Sequence, residues 1–191
     1  MMVKICGVTN LDDALAAAEG GASAVGFNFY RPSPRFIDPG EAARIGAKLP
    51  PGVWKVGIFV NENGAAIARD AGLDVVQIHG AAPAPAGVRV WRAHRVDAAF
   101  RLEDLDDSAE AFLLDTPSDT LWGGTGRTFD WSRAAGSAKK IILSGGLDAS
   151  NVRRAIEAAR PWGVDASSRL ESAPGRKDHQ KMLNFLKAAL A

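Results

Sequence analysis

The feature that most restricts this chain is a rhythm. Short apolar runs rich in β-formers alternate with segments whose apolar residues fall at helical spacing, from the first residues to the last. Repeating strand and helix units build a parallel sheet, because parallel neighbours need a long crossover. Strands are read at Val3 to Cys6, Ala24 to Phe29, Trp54 to Val60, Val75 to His79, Val88 to Ala93, Ala111 to Asp115, Lys140 to Leu143 and Gly163 to Ala166. Helical spacing marks Leu11 to Glu19, Glu41 to Leu49, Ala65 to Ala71, Asn151 to Arg160 and Asp178 to Ala189, with less regular stretches at Ala98 to Leu105 and Trp131 to Ala138. Asp148 and Ser150 stand where an N-cap would open the helix containing Val152. Eight strands is the number that closes a barrel. The competing architecture, a doubly wound open sheet, requires a dinucleotide fingerprint after its first strand, and Gly7-Val8-Thr9-Asn10 does not supply it. The expected fold is therefore α/β, a parallel (β/α)8 TIM barrel in one domain over residues 1–191.

One unit breaks the rhythm. Between Gly80 and Val88 stand only the residues AAPAPAG, where Pro83 and Pro85 each remove a backbone donor and disfavour helix at the preceding residue. The fourth helix is predicted to be missing, replaced by an extended connection reaching at most about 23 Å at ~3.3 Å per residue. The outward faces of strands four and five, carrying Val76 and Ile78, would then lose their cover. Either neighbouring helices lean across the gap or a second subunit buries it, so the expected state is a monomer or a homodimer through that face.

Composition narrows the function classes. The 23 basic and 22 acidic residues leave a net charge of +1, without the positive excess that accompanies nucleic-acid binding, so no nucleic acid is expected. No apolar run approaches the roughly 20 residues of a membrane helix, and the start lacks a signal-peptide core; a soluble cytoplasmic protein with no membrane partner is expected. The single cysteine, Cys6, has no intrachain disulfide partner, so its reactivity is the question. His79, His94 and His179 show no metal-ligand spacing, and neither a metal nor a cofactor is expected.

Barrel active sites gather at the C-terminal ends of the strands. There the sequence places Lys4 and Cys6, Asn28 with Arg35 in the next loop, Asn61, Gln77 with His79, Arg92, Asp115, Ser144-Gly145-Gly146, and Asp165 with Ser167-Ser168. Lys4 and Cys6 are two apart in a strand and share a face, where the ammonium would favour the thiolate and make Cys6 a base or nucleophile. The alternative is a small buried hydrophobe. Asp115 ends the apolar run Ala-Phe-Leu-Leu-Asp, and burial would raise its pKa into the range of a general acid; a loop-capping carboxylate is the alternative. Ser144-Gly145-Gly146 and Ser167-Ser168 follow strands seven and eight, where such barrels bind phosphate through backbone N–H groups. A small phosphorylated molecule is the expected partner. The loop Gly123 to Arg127 reads as a lid or as an ordinary surface loop, Trp54 and Trp91 as packing residues, and Arg153, Arg154 and Arg160 as a solvated helix face.

These residues resemble the phosphoribosylanthranilate isomerase family. Lys4-Ile5-Cys6-Gly7 with Thr9-Asn10, Ala24 to Phe29, Ser33-Pro34-Arg35, Val56 to Asn61, Gln77 to Gly80, Leu114-Asp115-Thr116, Gly123 to Gly126 with Phe129-Asp130-Trp131, Leu143 to Leu147 and Val164 to Ser168 follow in the family's order. The resemblance implies an Amadori rearrangement of phosphoribosylanthranilate in tryptophan biosynthesis, with Cys6 as general base, Asp115 as general acid and Arg35 on the substrate's carboxylate. It also implies substrate contacts for Lys4 and His79 and phosphate binding at Ser144, Gly145, Gly146, Ser167, Ser168 and Arg169. At position 169 the family usually has glycine; if a positive φ is needed there, Arg169 costs about 1 to 2 kcal/mol of strain. Another phosphometabolite barrel would require a catalytic rim lysine or metal-binding histidines. A non-catalytic binding module has no use for an acid and base pair.

Overall fold

The computed structural model describes residues 1–116 and 128–191. Its sheet is a closed parallel barrel in sequence order, β1 (Met2–Cys6), β2 (Ala24–Asn28), β3 (Trp54–Val60), β4 (Val75–His79), β5 (Arg89–Arg95), β6 (Ala111–Asp115), β7 (Lys140–Leu143) and β8 (Gly163–Ala166), with β8 pairing back onto β1. The predicted TIM barrel is therefore found, and most strands match the sequence reading within a residue. The exception is β5, which runs two residues further, to Arg95. The helices among the described residues are α1 (Leu11–Glu19), α2 (Pro39–Gly46), α3 (Ala65–Asp70), α4 (Val152–Ala159) and α5 (His179–Leu190). None is long and apolar enough to cross a membrane.

Local chemistry explains the boundaries. Asn10 caps α1 by accepting from the Asp13 N–H, and Asp38 caps α2 with Pro39 at its first position. The expected cap of α4 needs correction. Asn151 occupies the cap position without a side-chain bond to the helix's own N–H groups, while Asp148 accepts from the Ser150 N–H and the Asn151 side chain donates back to the Gly146 carbonyl.

Two of the expected helices shrink to short 3-10 turns, Leu102–Asp104 and Trp131–Ala134. Asp97 opens the first region by accepting from the Ala99 and Phe100 N–H groups. The acidic run Glu103, Asp104, Asp106 and Asp107 then falls where a helix C-terminus would repel it. In the second region Gly136, at φ 78°, ends the turn.

The fourth helix is absent, as expected. Its absence does not bare β4 and β5: Val76 and Ile78 are fully buried, in an outer layer that includes Leu73, Ala82, Val90 and Leu105. Arg92 points outward and fastens the helix-less connection, donating to the Ala82 carbonyl at 3.0 Å and to Ser108 Oγ at 2.9 Å. Neighbouring segments supply the cover, and the proposed dimer face loses its basis.

Side chains alternate across the strands, so every second residue of each strand fills the barrel. At the N-terminal end these positions hold Met2, Ala24, Val56, Val75, Trp91 and Ala111, against which Trp54 and Trp162 pack. One step up stand Lys4, Gln77 and Asp165, and at the C-terminal mouth Cys6, Asn28, His79, Asp115, Ser144 and Ser167.

Candidate active site

A cavity of about 250 Å³ opens at that mouth, lined by Cys6, Gly7, Asn28, Arg35, Gln77, His79, Asp115, Ser144, Asp165 and Ser167 among others. Residues from six strands thus converge because period-two alternation delivers one inward side chain from each strand end. Beneath the cavity floor lies Lys4, fully buried, its ammonium 2.7 Å from Asp165 Oδ1. Asp165 also accepts from Ser144 Oγ at 3.0 Å. Burial alone would push the Lys4 ammonium down, but Asp165 and Cys6 reverse the sign and hold it charged. Lys4 does not line the cavity; it stands under it.

Burial pushes the Cys6 thiol above its ordinary value, outweighing the opposing pull of Lys4. The sequence expectation of an ammonium-stabilised thiolate is thereby corrected: the desolvation cost of a recessed anion wins, and Asp165 adds to it. Asp115 is 8% exposed, and burial raises its pKa to about 6, against the opposing Thr116 N–H bond at 2.7 Å. Among its neighbours Asp165 raises the value further, while Lys4 and Arg95 pull it down.

His79 is driven down to about 3 by burial, with Lys4 and Arg95 adding to the effect, so the ring is neutral near pH 7. The Gln77 side-chain amide lies 2.9 Å from its Nε2, a hydrogen bond whose direction is set by the imidazole tautomer.

Ser144, Gly145, Gly146, Ser167, Ser168 and Arg169 line one small cleft between the β7 and β8 loops. Gly145 stands at φ 85°, and a Cβ there would come within 2.3 Å of Thr116 Oγ1 and 2.8 Å of Asp115 Oδ1. The glycine loop therefore packs directly on Asp115 and Thr116. Arg169 lies in a short 3-10 turn, Ser168–Leu170, and is not among the residues with positive φ, so the expected strain does not arise. Its Nε pairs with Asp148 Oδ2 at 2.6 Å, tying the two loops together.

Arg35 reaches the cavity from the loop after β2. Its Nε and Nη2 donate to Glu171 at 2.8 and 2.7 Å. Sequence reading did not find this pairing, nor the approach of Arg95 to Asp115 and His79. The apolar alternation Trp91, Ala93 continuing to Arg95 was the available signal for the second. Asn61 lies beside Gly80 rather than on the cavity, and Arg92 faces outward. The loop Gly123 to Arg127 lies outside the described residues.

The fold and the site define the class: a TIM-barrel enzyme with a thiol on β1 and a buried carboxyl on β6 at one mouth. Residues 3–188 match the family described as N-(5'-phosphoribosyl)anthranilate isomerase. A relative of that name from Solibacter usitatus is 54% identical over 198 residues, covering 100% of this chain and 98% of the relative. The phosphoribosylanthranilate isomerase of Thermotoga maritima superposes with a TM-score of 0.88 at 40% identity, over 100% of this chain and 98% of that one. Another isomerase, in complex with reduced 1-(o-carboxyphenylamino)-1-deoxyribulose 5-phosphate, gives 0.83 at 39% identity, over the same shares of the two chains. The chain belongs to the N-(5'-phosphoribosyl)anthranilate isomerase family, and it is an isomerase of tryptophan biosynthesis.

Proposed function

We propose that the site carries out an Amadori rearrangement of N-(5'-phosphoribosyl)anthranilate with Asp115 as general acid and Cys6 as general base. The observation that carries this reading is a buried carboxyl titrating near 6, facing the same cavity as a thiol on β1. The Asp115 carboxyl protonates the ring oxygen; the bond from that oxygen to the anomeric carbon breaks, and the nitrogen lone pair forms the iminium. The Cys6 thiolate then takes the proton from the adjacent carbon, and that C–H pair forms the enolamine, which tautomerises to the ketone. An iminium acidifies the neighbouring C–H enough for a thiolate to act as base.

Arg35 is the clamp for the anthranilate carboxylate, and neutral His79 offers a ring nitrogen to the substrate. Ser144, Gly145, Gly146, Ser167 and Ser168 receive the phosphate through backbone N–H groups. Arg169, occupied by Asp148, closes that cleft from outside. Lys4 acts through Asp165 and Cys6 without touching the substrate. The enzyme works in the cytoplasm as a monomer or as a homodimer. A dimeric isomerase is known from Thermotoga maritima, and a dimer here would use a surface other than β4 and β5.

Loss of anthranilate fluorescence from freshly made substrate tests the activity, and a substrate deuterated at ribose C2 tests the base. A primary isotope effect is expected on turnover. Turnover without one, combined with full activity of Cys6→Ala, would remove Cys6 from the proton transfer.

A further inference from the structure

After β8 the chain forms a small antiparallel hairpin, β9 (Glu171–Ala173) and β10 (Arg176–Lys177), which lies against the loops after β1 and β2. It is firmly seated. Thr9 Oγ1 donates to the Gly175 carbonyl at 2.5 Å, and the Lys177 N–H donates to Asp13 Oδ2 at 2.8 Å. Lys181 Nζ donates to the Glu171 carbonyl at 3.1 Å.

At the start of this hairpin Glu171 accepts from Arg35 on both oxygens, and Lys177 Nζ donates to its Oε1 at 2.9 Å. The Glu171 and Lys177 side chains are 4% and 0% exposed, while Arg35 keeps 15% exposure toward the cavity. Burial would push the Glu171 carboxyl up, but Arg35 and Lys177 more than offset it and hold it ionised.

A guanidinium has two edges that fit a carboxylate, Nε with Nη2 and Nη1 with Nη2. Glu171 occupies the first. Among the described residues nothing accepts from Nη1, so the second edge is left for a carboxylate in the cavity. The stem lies over Gly7, where a Cβ would come within 2.5 Å of Arg35 Cδ, so the glycine leaves room for the guanidinium to reach Glu171 and the cavity. Charge counting points the same way. Arg35 with Glu171 alone would be neutral, and Lys177 brings the group to +1, the charge that attracts an anion.

We propose that Glu171 and Lys177 are the positioning residues that make Arg35 a carboxylate receptor: Glu171 fixes the guanidinium by its side edge, and Lys177 restores the positive charge that Glu171 cancels. This rests on the reading of Arg35 as the carboxylate clamp.

The test uses steady-state kinetics of wild type, Arg35→Ala, Glu171→Gln and Lys177→Met on two substrates, phosphoribosylanthranilate and its analogue phosphoribosylaniline, which lacks the carboxylate. Glu171→Gln and Lys177→Met should each raise KM for the anthranilate about tenfold, the equivalent of one charge-assisted hydrogen bond. Turnover should stay within about threefold of wild type, because uniform binding is lost. KM for the aniline should not move, and Glu171→Asp should recover part of the loss. If Arg35→Ala raises KM for the anthranilate while both other variants leave it unchanged, the proposal fails and the clamp stands. If Arg35→Ala itself leaves KM unchanged, the clamp reading falls first. Equal rises on both substrates would mean a purely structural role and would also overturn the proposal. Melting temperatures identify a variant that does not fold; should Glu171→Gln be one, Lys177→Met decides by the same comparison.

Discussion

At the N-terminal end of the barrel Trp54, Trp91 and Trp162 pack in tilted and edge-to-face contacts with ring centroids 5.9 to 6.1 Å apart. Arg89 and Lys140 cover the outer rings of that cluster, 4.6 and 5.1 Å from the Trp54 and Trp162 centroids, and both pair with Glu110. At the C-terminal end the same strands present Cys6, Gln77, His79, Asp115 and Asp165 to a cavity. The first region gains from area buried and ring packing. The second holds charges whose desolvation the fold must offset through Lys4, Arg95 and backbone N–H groups. What separates them is one or two steps along each strand. The contrast teaches that stability and reactivity are stored at opposite ends of one structure, so substitutions at the two ends should fail in different ways.

The largest expected effect is on turnover at the mouth. Cys6→Ala and Asp115→Ala should each lower kcat by about 100- to 10,000-fold, the range of a positioned acid or base, with cooperative thermal unfolding retained. Near-wild-type turnover in either would reassign the chemistry.

At the opposite end, Trp91→Ala should cost about 3 to 5 kcal/mol in urea unfolding, as large-to-small changes in a packed core do. For the folded fraction, kcat/KM should stay within about threefold. A variant as stable as wild type but slow would break the separation of the two ends.

The pH dependence sharpens it. Asp115 must be protonated and Cys6 ionised, yet burial sets the acid near 6 and the thiol above its ordinary value. The two therefore titrate in the order opposite to the one catalysis needs. Between the two values the gain in thiolate with rising pH cancels the loss of the acid, so kcat/KM should be flat. Below pH 6 it should fall about tenfold per unit, because the acid is already protonated and only thiolate is being lost. The groups facing Asp115 are Asp165, Lys4 and Arg95. A profile rising steadily through pH 6 to 8 would show that Asp115 is not titrating there.

The smallest effect is expected at Arg169. Removing its half-exposed pair with Asp148 in Arg169→Ala should change stability by at most about 1 kcal/mol. KM should shift less than about threefold. A tenfold rise would place its charge on the phosphate.

The barrel was legible because its strands are short, apolar and bounded by glycine or polar residues, and because one inward position per strand end announces itself when it is polar. Cys6 and Asp115 stand out on that ground. The stretches at 98–105 and 131–138 misled because apolar spacing alone does not weigh where acidic residues or Gly136 fall. The Arg35 pairing with Glu171 was illegible for a different reason: it joins residues 136 apart in the chain, and only ring closure brings the last loop beside the second. The raised pKa of Cys6 was missed because two opposing influences, a nearby ammonium and burial, had to be weighed, and sequence supplies only the first.

The helix-less crossover also bears on the order in which the barrel assembles. Residues 80–88 separate β4 from β5, whereas residues 116–139 separate β6 from β7. Loop-closure entropy grows with the logarithm of length, so joining β4 to β5 costs about 0.9 kcal/mol less than joining β6 to β7. The two prolines stiffen the shorter link further, since they restrict the unfolded chain. Pairing should begin at this seam and spread outward, leaving the contact of β8 with β1, and with it the mouth that unites Cys6, Arg35 and Glu171, to form last. A nascent chain would thus possess a partly built wall long before it possesses a site.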